Sequence, residues 1–164
     1  MESTIFRKIM AATDGSELVR NAVDTAIEIA KLSEAKLYAV HVIELGEFLV
    51  TQHNPGDPEW KTSMKEQLIK EGKEATTYVE NAGRAANVKV ESVILEGSPA
   101  GEIVDFAEKN DIDLIVMGTH GKSAIQRFLI GSVAENVVRH SKKAVLIVRR
   151  KTAKNLLVDI IQIL

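Results

Sequence analysis

The stretch GTHGKSAIQRFLIGSVAENV, residues 118–137, begins where the apolar run 114–117 stops and ends inside a pattern of helical spacing. It holds three glycines, Gly118, Gly121 and Gly131, with the cations Lys122 and Arg127 and several hydroxyl side chains between and beside them. A connection from strand to helix ordinarily needs one glycine. The residue is entropically costly and is retained where φ is positive or where something approaches the backbone closely. Three in one crossing point to something seated against this loop.

Reading outward from that crossing gives the rest of the chain. IFRKIMAA (5–12) is a strand ended by the turn cluster TDGS (13–16), with Ser16 placed to cap the next element. Between 17 and 32, Val19, Ala22, Val23, Ala26, Ile27 and Ala30 recur every three or four residues, which predicts an amphipathic helix. AKLYAVHVIE (35–44) has the β-branched and aromatic content of a strand covered on both faces. A polar loop with Gly46, Pro55, Gly56 and Pro58 precedes a long helix that carries Trp60, Met64, Leu68, Ala75, Tyr78, Val79 and Ala82 on one side and is ended by Gly83. VKVESVILE (88–96) alternates apolar with polar at its start, as a strand with one wet side at a sheet edge does. In the next helix Ser98 stands at the N-cap and Pro99 at the first position, with Ile103, Val104 and Ala107 facing inward. IDLIVMG (112–118) is a buried strand, Val133, Ala134, Val137 and Val138 mark a short helix, and KAVLIVRR (143–150) is a last strand.

Five strands alternating with four helices predict an α/β fold, a doubly wound, Rossmann-like parallel sheet with helices on both faces, because each right-handed crossover lays a helix on one face. Ligands of such sheets bind beyond the carboxyl ends of the strands, where the winding reverses. A strand order of 3-2-1-4-5 brings TDGS, after the first strand, beside GTHGKS, after the fourth.

The second loop has the character of an anion site. The first amides of a helix lack intrahelical partners and carry the positive end of its dipole, and glycines let phosphate oxygens reach them. Each charge-assisted hydrogen bond is worth about 1.5–3 kcal/mol, so three or four go far toward the roughly 8 kcal/mol of a micromolar complex. A triphosphate tail fits that arithmetic. Ser132 and Glu135 also match a Ser-x-x-Glu capping box, which needs no ligand, and Gly118 and Gly121 also serve a plain turn. Asp14 is a turn former, and a carboxylate beside phosphates repels them, so with a nucleotide bound Asp14 is expected to face base or ribose. His41, His53, His120 and His140 show no metal-ligand spacing.

Composition narrows the function classes. The 164 residues are 45% hydrophobic and 27% charged, enough for one domain with a substantial core. The absence of cysteine excludes disulfides, thiolate metal sites and a Cys nucleophile. The first residues, MESTIFRKIMAATDG, place Arg7 and Lys8 inside the first apolar stretch, unlike a secretory leader, so a cytoplasmic protein is expected. Its apolar runs fall far short of the roughly 18 residues of a membrane span. A balance of 21 basic against 23 acidic residues and few aromatics argue against nucleic acid.

Several motifs fail. A P-loop needs glycine at position 116, where Val116 stands, and the dinucleotide fingerprint G-x-G-x-x-G is missing after the first strand. The loops of adenylating enzymes of related architecture are missing too. Ser132 lacks the G-x-S-x-G elbow of a hydrolase nucleophile, and no catalytic residue is assigned.

The pattern G-x2-G-x9-G-[ST], met by Gly118, Gly121, Gly131 and Ser132, resembles that of the nucleotide-binding branch of the universal stress protein family. The resemblance covers about residues 3–150 and includes ATDGS, HVIE, EGSPAGEIV and IVMGTHGKS in order. It implies an ATP ligand, accompanied by Mg²⁺ where phosphoryl transfer follows. By position, Ala12, Thr13 and Asp14 match the segment that holds adenine and ribose, Val42 the residue whose backbone reads the adenine edge, and Met117 a residue that packs on the nucleoside. Gly118, His120, Gly121, Gly131, Ser132, Val133 and Ala134 match the phosphate-contacting stretch. Ala12 stands where many relatives have proline, and Ala134 where some have threonine, which removes a hydroxyl contact.

The resemblance further implies a homodimer paired through the last strand, whose apolar edge would otherwise be bare. Residues 1–150 form the nucleotide-binding domain, and the apolar extension 151–164 is expected to bury LLVDIIQIL (156–164) against the core or a partner subunit. Three functions stay open: a nucleotide-dependent switch or binding module in stress response, a slow ATP hydrolase or phosphoryl-transfer enzyme, and an interaction protein of the same fold that binds no nucleotide.

Overall fold

The computed structural model describes residues 5–46, 58–121 and 130–149. The segments 47–57, with Pro55 and Gly56 of the expected loop, and 122–129, with Lys122 and Arg127, lie outside the described residues, as does the extension 151–164; Pro58, read as part of that loop, is instead the first residue of the long helix. In chain order the elements are β1 (Lys8–Ala12), a 3-10 turn (Glu17–Val19), α1 (Arg20–Leu32), β2 (Lys36–Ile43), α2 (Pro58–Ala85), β3 (Val90–Glu96), α3 (Pro99–Lys109), β4 (Leu114–Gly118), α4 (Ser132–His140) and β5 (Ala144–Val148).

The strands form one sheet in the order β3-β2-β1-β4-β5, as the alternation predicts. Every pairing is parallel, with Lys8 to Ala12 beside Lys36 to Val40, Ile9 to Ala11 beside Leu114 to Val116, and Leu114 to Gly118 beside Ala144 to Val148. β1 is therefore the switch point. From it the chain winds one way through β2 and β3, then returns to wind the other way through β4 and β5.

The two-residue period of the strands sorts the core into two layers. Ile9, Ala11, Leu37, Ala39, Leu114 and Val116 face α1 and α2, where Ala22, Val23, Ala26, Ile27 and Val79 cover them. Met10, Tyr38, Val40, Ile115 and Met117 face α3 and α4, under Ile103, Ala107, Ala134 and Val137. Full burial of one Val, Leu or Ile is worth about 1.5–3 kcal/mol, so apolar cover on both faces of the three central strands is the main support of the sheet. β3 and β5 are the edges. The expected single wet side of β3 is not found: residues between its ends are half-buried on both faces, and the exposed Glu91 and Glu96 lie on opposite faces, Glu91 paired to Lys36 and Glu96 to Lys65 at 2.7 Å. The hydrogen bond from Lys36 to Glu91, together with the Tyr38 ring beside it, holds the lysine above its ordinary pKa.

The structure corrects the sequence reading at several element ends. β3 and β4 begin two residues later than the apolar runs 88–96 and 112–118, because Val88 and Ile112 close the preceding helices instead of opening strands. Gly83 does not end α2; it is buried within the helix, and a Cβ there would overlap Val90 Cγ2. The buried side of α2 is Gly72, Ala75, Thr76, Val79 and Gly83, a narrower and smaller face than the apolar spacing suggested, while Tyr78 is 39% exposed. Small residues there bring the helix close to the sheet, and Thr76 satisfies its hydroxyl on the Gly72 carbonyl at 3.1 Å.

Candidate functional site

At the switch point β1 stops at Ala12 while β2 runs on to Ile43. Thr13, buried, continues one step further by donating its N–H to Val40 O at 2.9 Å. In a strand the N–H and C=O of one residue point to the same side and alternate along the chain. Val42, two residues after Val40, therefore turns its main-chain donor and acceptor to the side that β1 has already left. Val42 itself is half-buried.

The turn after Thr13 is closed locally. Asp14 Oδ1 accepts from the Ser16 N–H at 2.9 Å and from Ser16 Oγ at 2.6 Å, an Asx turn, and Gly15 sits at φ +76°. Ser16 does occupy the cap position of the 3-10 turn, but its hydroxyl is spent on Asp14 rather than on the turn's amides.

The fourth strand delivers its loop to the same place. Thr119 N–H donates to Val148 O at 3.2 Å, and the Thr119 carbonyl accepts from Gly131 N–H at 2.6 Å, which draws the two ends of the crossing together. A Cβ on Gly131 would lie 3.0 Å from Thr119 O and 3.6 Å from His120 Cα. On Gly121 it would lie 2.6 Å from Asp14 Oδ2. At Gly131 the close neighbour is main chain, and at Gly121 it is the end of the Asp14 side chain, so a side chain at either position would have to displace what lies there. Gly118 is less constrained, with ordinary contacts from 3.4 Å. TDGS and GTHGKS thus meet as the strand order requires. The Asp14 carboxylate lies beside the glycine loop, with Oδ2 against Gly121.

The capping-box alternative is overturned. Gly131, not Ser132, is the N-cap of α4, in extended conformation and with no side chain to offer. Ser132 is the first helical residue, and the Glu135 carboxylate pairs with Arg139 at 2.7 Å instead of folding back. The first amides of α4 are thus presented without a side-chain cap. Ser132 is exposed and Val133 half-buried, but Ala134 is only 3% exposed and packs in the α3/α4 layer. The hydroxyl that Ala134 lacks belongs to the core side of the helix. Met117 is likewise 5% exposed, a core residue beneath α4. Ala12 is half-buried against the same layer. His120 is half-buried, its Nδ1 3.2 Å from Thr119 Oγ1.

On the opposite face of the Asp14 turn lies a cavity of about 270 Å³ between the start of α1 and the middle of α2, lined by Thr13, Arg20, Glu71, Glu74, Ala75 and Tyr78. Arg20 stacks over the Tyr78 ring at 5.2 Å. Among the described residues no group of three or more His, Asp or Glu side chains converges to hold a metal ion. No helix among them is long and apolar enough to cross a membrane.

One site residue was not singled out from sequence. His41 is buried, and its Nδ1 lies 2.9 Å from the Thr13 carbonyl oxygen. A histidine inside the apolar run AKLYAVHVIE is the signal that could have found it.

Comparison with known proteins agrees with this geometry. The sequence profile of the universal stress protein family matches residues 5–149. The chain is 41% identical over 146 residues to Universal stress protein MJ0531 of Methanocaldococcus jannaschii, covering 89% of this chain and 84% of that one. Its fold superposes on the solved structure of MJ0577, from the same organism, with a TM-score of 0.78 at 32% identity over 91% of this chain and 99% of that one. The universal stress protein of Archaeoglobus fulgidus in complex with dAMP matches with a TM-score of 0.62 at 27% identity, over 87% and 98% of the two chains. The glycine pattern read from the sequence and the switch-point crevice of the fold are thus found together in a chain that belongs to the universal stress protein family.

Proposed function

We propose that this protein binds an adenine nucleotide, with ATP as the working ligand, in the crevice between the β1 and β4 exits, and acts as a nucleotide-dependent binding module in the stress response. The observation that carries the reading is the uncapped start of α4 at Gly131, held by the Thr119 carbonyl beside Gly121 and Asp14. Helix-terminal amides at a glycine-lined approach suit phosphate oxygens. The Val42 N–H and C=O form a donor and acceptor pair of the kind an adenine edge complements. Gly118, Gly121, Gly131, Ser132 and Val133 serve the phosphates through main-chain donors, and Ala134 and Met117 support α4 from beneath. The relative solved with dAMP supports an adenine nucleotide.

Asp14 is the carboxylate that lies against Gly121. A magnesium ion that travels with the phosphates would meet that oxygen, in keeping with the habit of Mg²⁺ of taking one or two carboxylates plus phosphate ligands. The outer edge of β5 is the proposed homodimer seam, since its five apolar residues end the sheet. The extension 151–164 is proposed to cover apolar surface of the core or the partner. Sedimentation of the full chain tests the seam, and a monomer would discard it; a chain ending at residue 150 that keeps full stability and assembly would discard the role of the extension.

Titration calorimetry with ATP on the wild type and on Gly131→Val tests the central reading. We expect micromolar binding by the wild type and a loss of at least about 30-fold, some 2 kcal/mol, in the variant. A wild type that gives no heat with ATP, ADP or AMP refutes the reading. Turnover of bound ATP no faster than in Gly131→Val fits a module, and faster turnover would shift the assignment to an ATP hydrolase.

A further inference from the structure

We infer that His41 is a positioning residue for the nucleotide crevice, acting through the Thr13 carbonyl; the inference rests on the nucleotide reading above for its consequence and on the geometry alone for its mechanism. Two consecutive residues of β2 hold one residue of the β1 turn. Val40 O accepts the Thr13 N–H at 2.9 Å, and the His41 ring meets the Thr13 oxygen through Nδ1 at the same distance. A carbonyl oxygen only accepts, so Nδ1 carries the proton. The Thr13 hydroxyl, in turn, accepts from the Gly15 N–H at 3.2 Å. Every polar group of Thr13 that sets the path of the turn is therefore assigned.

The direction of the His41 bond matters more than its strength. His41 follows Leu37 and Ala39 on the α1/α2 face, so it draws the Thr13 carbonyl toward that face. In a trans peptide the following N–H points the opposite way. The Asp14 N–H is thus aimed at the face on which α4 begins, the side assigned to the ligand. The ring is itself fixed from behind: a Cβ on Gly72 of α2 would stand 2.8 Å from His41 Cδ2, so the helix grips the imidazole without a gap. His41 links α2 to the Asp14 turn and, through the next residue, to the Val42 main chain.

Two variants separate a donor from a filler. His41→Asn keeps an N–H donor on the δ atom but leaves a hole against Gly72; His41→Leu keeps the bulk and loses the donor. If the hydrogen bond positions the turn, His41→Leu weakens ATP binding about tenfold, the size of one lost hydrogen bond, while His41→Asn stays within about threefold of the wild type. If only packing counts, the order reverses, and that result overturns the inference, as does a His41→Leu protein that binds ATP like the wild type. The ligand-free protein supplies an independent readout in the ¹H–¹⁵N spectrum. The Asp14 amide should shift and exchange faster in His41→Leu and return toward its wild-type position in His41→Asn. Should the wild type bind no nucleotide, this spectrum still decides the positioning role, so failure of the nucleotide reading and failure of the inference are read separately. Should His41→Leu not fold, an Nδ1-deprotonated tautomer of His41 in the wild type, read from the ring ¹⁵N shifts, would overturn the inference, and a protonated Nδ1 would uphold it.

Discussion

At the amino end of the sheet, α1, α2 and α3 finish in one and the same turn, whereas at the carboxyl end α3 and α4 begin without a capping hydrogen bond from the N-cap side chain. Each amino-end turn is a Schellman motif closed by two main-chain bonds. Ala35 N–H donates to Ala30 O and Glu34 N–H to Lys31 O; Val88 to Gly83 and Asn87 to Arg84; Ile112 to Ala107 and Asp111 to Glu108. The left-handed position is filled by Glu34, Asn87 and Asp111, none of them glycine. The carboxyl end holds Gly15, Gly118, Gly121 and Gly131 instead. One end satisfies its own polar groups and needs nothing further. The other leaves helix-terminal amides facing outward, with side chains removed from their approaches, as an end that receives a ligand must.

The strongest challenge to that contrast is Gly83, a glycine at the closed end. Its reason is packing: a Cβ there would overlap Val90 Cγ2, a branched strand side chain with little freedom to move, and meet Val88 O at 3.4 Å. Gly83→Ala should therefore lose about 2–3 kcal/mol of stability in urea, the upper part of the range for overpacking. ATP affinity in the folded variant should be unchanged. A Gly83→Ala protein that binds ATP poorly would show that the two ends are not independent.

Gly15 sharpens the contrast from the open end. It stands at φ +76° with Ala75 Cβ 3.0 Å from where its own Cβ would be. Gly15→Ala should cost about 1–2 kcal/mol in stability, the penalty for an ordinary side chain in the left-handed region. Unlike Gly83→Ala, it should also weaken ATP binding, because Thr13 and Asp14 flank the strained residue. Denaturant midpoints and calorimetry on the same two variants make the comparison. Equal affinities in both would remove the functional half of the contrast.

How much of this was legible in the chain depends on which physical signals leave a pattern. The sheet order and its two layers were readable because periods of two and of three to four residues are set by burial, and because turn clusters mark where strands end. The meeting of TDGS with GTHGKS came from topology. What escaped was everything done by small residues and by direction. Gly72, Thr76 and Gly83 form the close face of α2, yet they carry no hydrophobic signal. Ser132 and Glu135 satisfy the capping-box spacing, but Arg139, four residues after Glu135, takes the carboxylate, and the true cap is the glycine before. The place of the Asp14 carboxylate beside the glycine loop likewise left no pattern in the sequence. The Asx turn with Ser16 fixes the carboxylate first, and its second oxygen falls against Gly121.

The smallest effect tests the closed end directly. Glu34, Asn87 and Asp111 sit at φ 52°, 59° and 52°. A left-handed residue costs roughly 1–2 kcal/mol, less for Asn and Asp, whose short side chains bond locally, while glycine there gives back part of the gain as unfolded-chain entropy. Glu34→Gly should therefore stabilise the protein by about 0.5 kcal/mol, and Asn87→Gly by close to nothing, both with ATP affinity unchanged. Denaturation midpoints measured side by side resolve the difference. A gain at Asn87 as large as at Glu34 would mean that local side-chain bonding does not offset the strain. No gain at Glu34 would mean that the Schellman bonds and the buried Ala35 and Ala30 already hold the turn without strain. With the expected result, glycine would be shown to improve turns where this chain lacks it, and its concentration around Asp14 would then answer to what approaches the backbone there rather than to the needs of turning.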